Sequence, residues 1–136
     1  MTAKEYLGQA RNIDNEIQSM LEEVAVLRSM AEKTTAVITG MPGNATRNTS
    51  QLSDTIAKII DREEKIDREI DRLVDLRSEI YESVQQVEDR DARRVLYLRY
   101  MSYRSWAEIA SEMKLGLRQI YRLHDEGLKN IFPICH

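Results

Sequence analysis

Trp106-Ala107-Glu108-Ile109-Ala110-Ser111-Glu112-Met113, then Lys114-Leu115-Gly116, then Leu117-Arg118-Gln119-Ile120-Tyr121-Arg122-Leu123-His124-Asp125-Glu126-Gly127-Leu128-Lys129-Asn130-Ile131 reads as two helices around a sharp turn. In the first part the apolar residues Trp106, Ile109, Ala110 and Met113 recur at helical spacing, and Ser105 with Glu108 has the form of a capping box. Leu115 is placed to plug the turn from inside. Gly116 is expected to let the backbone change direction and to stand at the N-cap of the second helix.

The second helix, expected over about 117–130, divides into two faces. At about 100° per residue, Ile120, Leu123, Gly127 and Ile131 share one side, and Arg118, Arg122 and Lys129 lie roughly opposite with Asp125 among them. Packed core on one side and bases within reach on the other is what a recognition helix in a DNA major groove requires. An arginine fork can bind guanine O6 and N7 together, which suits Arg118 and Arg122 to reading bases. Gln119 and Tyr121 add groups for phosphate or base, Lys129 adds charge, and Leu117 begins the helix. The plainer reading is an amphipathic helix with a solvated face, and the turn and preceding helix weigh against it.

A family resemblance rests on a longer run. Val95-Leu96-Tyr97-Leu98-Arg99-Tyr100, Ser105-Trp106-Ala107-Glu108-Ile109-Ala110, Arg118-Gln119-Ile120-Tyr121-Arg122-Leu123 and Gly127-Leu128-Lys129 resemble region four of bacterial sigma factors. The whole chain is similar to small phage and prophage proteins of Gram-positive bacteria that join a long helical N-terminus to such a domain, and more remotely to late transcriptional regulators of the ArpU and RinA type. The resemblance implies a helix-turn-helix that binds double-stranded DNA, with a promoter element beside RNA polymerase as its expected target. The chain departs from the sigma pattern at Gly116, Leu117 and Arg118, where that pattern has Ser or Thr, a basic residue and an acidic one. Arg122 stands where sigma factors usually carry a base-reading Gln.

The 136 residues carry a net charge of -3 that conceals an asymmetry. Residues 90–136 hold nine Lys plus Arg against five Asp plus Glu, and residues 1–89 hold eleven against eighteen. The basic end is where phosphate would bind, and the acidic remainder belongs away from a duplex, facing solvent or protein. With 32% charged and 6% aromatic residues, five Gly and two Pro, the composition points to long helices rather than one large core. No apolar run approaches a membrane span and the first residues lack a signal-peptide layout, so a cytoplasmic protein is expected. Cys135 is a lone cysteine near the end of the sequence and reads as a bystander.

An all-α chain follows, with residues 1–88 as an antiparallel, coiled-coil-like helical hairpin and residues 89–136 as the small helix-turn-helix domain. Thr2 and Glu5 cap a first helix to about residue 37, whose seam runs Tyr6, Ala10, Ile13, Ile17, Met20 or Leu21, Val24, Leu27 and Ala31. Gly40-Met41-Pro42-Gly43-Asn44 breaks it, and a polar loop is expected up to Ser50. A second helix over about 51–87 carries Leu52, Ile56, Ile59, Ile66, Ile70, Leu73, Ile80, Val84 and Val87, interrupted by Glu63 and Arg77, which could set register. Val26, Ile60 and Leu76 fall off the strict seam, a surplus that points to a homo-oligomer.

Glu88 to Asp91 reads as a hinge or cap, with Asp89 or Asp91 able to accept from the first amides of a further helix that has Val95, Leu96, Leu98 and Met101 inward and Arg93, Arg94 and Arg99 exposed, some of them touching phosphate. Trp106 is expected to anchor the small core, and His124 to sit at its edge. Glycine phosphate loops, HExxH and paired cysteines are absent from the sequence, and its two histidines are His124 and His136. No enzyme, no metal and no cofactor is therefore expected. Two functions remain: a sequence-specific DNA-binding transcriptional regulator, or a polymerase- or sigma-associated helical adaptor that no longer binds DNA.

Overall fold

The computed structural model describes residues 1–40 and 45–131. It is all-α, with no strand among the described residues. The helices are α1 (Ala3–Gly40), α2 (Ala45–Gln85), α3 (Arg90–Leu96), α4 (Trp106–Met113) and α5 (Leu117–Lys129). A π-helical turn, Tyr97–Met101, continues α3. No described helix is long and apolar enough to cross a membrane. The break expected at Gly40-Met41-Pro42-Gly43-Asn44 lies, beyond Gly40, outside the described residues, as does Cys135.

Both long helices run further into that break than the periodicity suggests. The β-branched run starting at Thr34 does not end α1, because the Thr34 and Thr35 hydroxyls donate to the carbonyls of Met30 and Ala31 at 3.0 and 2.9 Å and so satisfy themselves inside the helix. The polar stretch before Ser50 is helical from Ala45. Polar residues weaken a helix by tenths of a kcal/mol each, roughly, whereas Gly and Pro stop one.

The chain forms two compact units, residues 15–71 and residues 1–14 with 72–136. In the first, α1 and α2 pack antiparallel, with Ile17, Val24, Leu27, Ile59 and Ile66 buried between them. Every one of these is a predicted seam residue. Glu63, which interrupts the seam, forms an ion pair with Arg28 across the pair of helices. Ile56 and Ile70 belong to the same predicted seam but are 44% and 40% exposed, since two helices can cover only one stripe of each other.

The second unit has a thicker core. Tyr6, Leu7 and Ala10 from the start of α1 and Ile80 and Val84 from the end of α2 join Ala92, Val95, Leu96, Leu98, Ile109, Ile120 and Ile131 in one buried cluster. Leu76, expected off the seam, is half-buried against it. Arg77 interrupts the seam of α2 for a local reason: its guanidinium donates to the Met101 carbonyl and the Tyr103 hydroxyl, both at 3.1 Å. It thereby holds the loop before α4, where Tyr103 takes a left-handed φ of 57°. Asp89 caps α3, accepting from the amides of Asp91 and Ala92 at 2.9 and 3.1 Å as the sequence suggests.

Candidate nucleic-acid interface

The stretch 105–131 folds as two helices about a turn. Ser105 and Glu108 complete the capping box in both directions, each bond 3.2 Å long. Above all, the Ser105 amide donating to the Glu108 carboxylate holds that carboxyl below its usual range. The reversal of the chain is made at a different residue from the one expected. Lys114 takes the left-handed conformation, φ 58° and ψ 42°, while Gly116 sits in ordinary extended geometry as the N-cap of α5. Its missing side chain leaves the first amides of α5 without a side-chain acceptor. Leu115 is half-buried against the core, the plug expected of it, and its amide donates to the Ala110 carbonyl at 3.1 Å.

From the turn, α5 lies with Ile120, Leu123 and Gly127 inward. At Gly127, α5 packs closely against α3. A Cβ built there would meet Leu96 Cδ1 at 2.8 Å and Leu96 Cγ at 3.1 Å, so glycine at this position permits the approach. The exposed surface of α5 carries all six residues expected to contact DNA. Leu117, Arg118, Gln119, Tyr121, Arg122 and Lys129 are all exposed. Among the described residues Arg118, Arg122 and Lys129 enter no ion pair, so three cations on one helix face have no internal use. Asp125, also exposed, moderates their charge.

Of the arginines expected to be exposed outside α5, Arg94 is exposed, while Arg93 and Arg99 are half-buried. The Arg99 guanidinium lies 4.4 Å from the centre of the Trp106 ring and donates to the Arg104 carbonyl at 3.0 Å. Arg93 donates to the Val87 carbonyl, and Arg94 and Arg104 both approach Glu112, at 3.6 and 3.4 Å. Arg99 in particular is part of the support of the domain.

That support is a cluster the periodicity did not reveal. Trp106 is half-buried rather than central, and the fully buried residue of α4 is Ile109. The Trp106 ring packs edge-on against Tyr121, centroids 5.2 Å apart, and against His124 at 4.8 Å. His124 is buried, and its Nε2 lies 2.7 Å from the Tyr100 hydroxyl. Burial lowers the pKa of His124 and raises that of Tyr100, so both groups are neutral and share one hydrogen bond at this contact, its direction set by the imidazole tautomer. Tyr121 and His124, three residues apart on α5, were visible as neighbours; their partners on the π turn and on α4 are long-range and left no local signal.

Set against known proteins, the chain matches no family model, no curated protein and no solved structure.

Proposed function

We propose that this chain is a sequence-specific DNA-binding transcriptional regulator of phage or prophage type, cytoplasmic and acting beside RNA polymerase, with α5 in the major groove. One observation carries the reading: α5 is held by Ile120, Leu123 and Gly127 against the rest of its unit while Arg118, Gln119, Arg122 and Lys129 face outward with no ion pair among the described residues. Arg118 and Arg122 lie in the first half of α5, the part of a recognition helix that meets base edges. Lys129, at its far end, suits a phosphate. Leu117 and Tyr121 supply apolar and hydroxyl contacts, for which a thymine methyl and a phosphate are natural partners. The role is one of binding, without catalysis or cofactor. A homo-oligomer formed through α1 and α2, whose Val26 and Ile60 are 51% and 52% exposed, would bring two copies of α5 to one site.

Leu117 and Tyr121, each nearly half exposed beside the cations, also favour a second reading in which this face grips a protein, such as a polymerase or sigma subunit. Selection from a random duplex pool separates the two. The expected outcome is an enriched sequence whose binding weakens with added salt. Arg122→Ala is then expected to cost about 1–3 kcal/mol on that sequence and to relax one base position, while Lys129→Ala weakens selected and random DNA about equally. Arg99→Ala is no control for such a test, because it strips the Trp106 ring of its partner. No enrichment, together with no binding at ~50 mM salt, overturns the DNA reading.

A further inference from the structure

We infer that the exposed groove along residues 15–71 is closed by the same groove of a second copy, with the two α2 helices antiparallel about a two-fold axis level with Lys65. The inference rests on the homo-oligomer reading above and gives it a register. One side of the α1–α2 pair in this unit carries an open groove. Toward the Gly-Pro break it is lined by Ile56 and Ile60, and at its other end by Leu21 and Ile70. All four are at least 40% exposed. The Arg28–Glu63 ion pair belongs to both ends and divides them.

The pattern along α2 is what points to a second copy of this chain as the occupant. Ile60 and Ile70 lie five residues to either side of Lys65, and Glu63 and Asp67 lie two to either side. An isologous interface requires a surface complementary to itself, so that residue i of one copy meets residue j of the other and j meets i. Read antiparallel, the isoleucines of this stripe are their own complement, Ile60 falling opposite Ile70 of the second copy, twice, while Glu63 falls opposite Asp67 with the Arg28 guanidinium beside them. A partner of unrelated sequence gives no reason for the symmetry. The neighbouring helix fits the same axis. With Arg28 beside Glu63, antiparallel packing sets Ala25 level with Ile66, so a small side chain on the groove wall stands next to the axis, where the two copies of α1 would approach.

The middle of the stripe sets the character of the association. At the axis, Asp67 of the second copy comes level with Arg28 and Glu63, so that each guanidinium is shared between two carboxylates. Two arginines and four carboxylates leave the centre negative. Salt therefore strengthens this contact, whereas it weakens the contact with DNA.

The test uses the full chain and measures mass by sedimentation, with circular dichroism to check helix content. The wild type is expected to be dimeric at tens of micromolar, more so as salt is raised. Ile60→Asp and Ile70→Lys, both at exposed positions, are each expected to weaken dimerisation by about tenfold or more, because each sets an unpaired charge against an isoleucine. Mixing the two variants is expected to restore a dimer, since the heterodimer holds one Asp–Lys contact and one Ile–Ile contact. The double variant Ile60→Asp/Ile70→Lys is likewise expected to dimerise. A wild type that stays monomeric overturns the homo-oligomer reading itself. Dimers unaffected by either single variant overturn this groove while leaving that reading in place. Single variants that become monomeric and are rescued neither by mixing nor in the double variant overturn the register.

Discussion

Residues 15–71 and the unit built from α3, α4 and α5 with the ends of the long helices use aliphatic residues in opposite ways. In the second, Leu7, Ile80, Val95, Leu96, Ile109 and Ile120 are wholly buried because several helices converge on them. In the first, two helices cover one stripe, and Leu21, Met30, Ile56, Ile60 and Ile70 remain exposed. An apolar residue on a helix is therefore not yet a core residue. The number of neighbouring elements decides, and a lone pair of helices with a surplus stripe has a face to offer a partner.

The largest expected break in that contrast comes from deletion of side chain on either side of it. Ile120→Ala removes packing from a site with no exposure, and a loss of about 3–4 kcal/mol is expected in urea or thermal unfolding. Ile60→Ala, at a half-exposed position, is expected to cost under about 1 kcal/mol when measured on monomer. Equal losses would mean that the groove is already closed in the measured state. Next in size is Gly127→Val. Its β-carbon would stand 2.8 Å from Cδ1 of the fully buried Leu96, and about 2 kcal/mol is expected from overpacking. Recovery in a Gly127→Val/Leu96→Ala double variant would sharpen the assignment of that loss to the α3–α5 approach; no coupling between the two would refute it.

A smaller effect is expected from pH. Burial lowers the pKa of His124 in the folded protein below its ordinary value of about 6.5. Between the lowered value and the ordinary one the unfolded chain binds more protons than the folded one, so stability rises with pH across that window and is lost as pH falls through it. Melting temperatures of wild type and His124→Gln, compared at pH 7.5 and 5.5, are expected to show a steeper acid loss in wild type. Parallel losses would take His124 out of the account. Smallest is Gly116→Ser. It gives α5 the side-chain cap it lacks, into open space, and a gain of a few tenths of a kcal/mol, roughly, is expected by chemical denaturation.

Much of this architecture was legible residue by residue. Spacing of three and four named Tyr6, Ile13, Ile17, Val24, Leu27, Ile59, Ile66 and Ile80 as buried, and they are. Ser105 with Glu108 announced its cap, and the cap of α3 was narrowed to Asp89 or Asp91, because capping joins residues two or three apart. The two faces of α5 were equally plain, and each of the six residues expected to meet DNA is exposed. These are local facts: a helix carries its own periodicity, and its inward and outward residues follow from the turn angle alone.

What local pattern left open was settled by which helices meet. Arg99 and Arg118 are both arginines at helical positions in the basic half, yet one lies on the Trp106 ring and the other faces outward without an ion pair, because the π turn carrying Arg99 is aimed at α4. Lys114 rather than Gly116 takes the left-handed turn, since the chain must leave α4 one residue after Met113 to bring Leu115 onto the core. Ile59 and Ile60 are adjacent in sequence and equal in hydrophobicity, and one is buried while the other is 52% exposed. Hydrophobicity states that a side chain gains by leaving water. Only the packing of distant segments supplies something for it to leave water against.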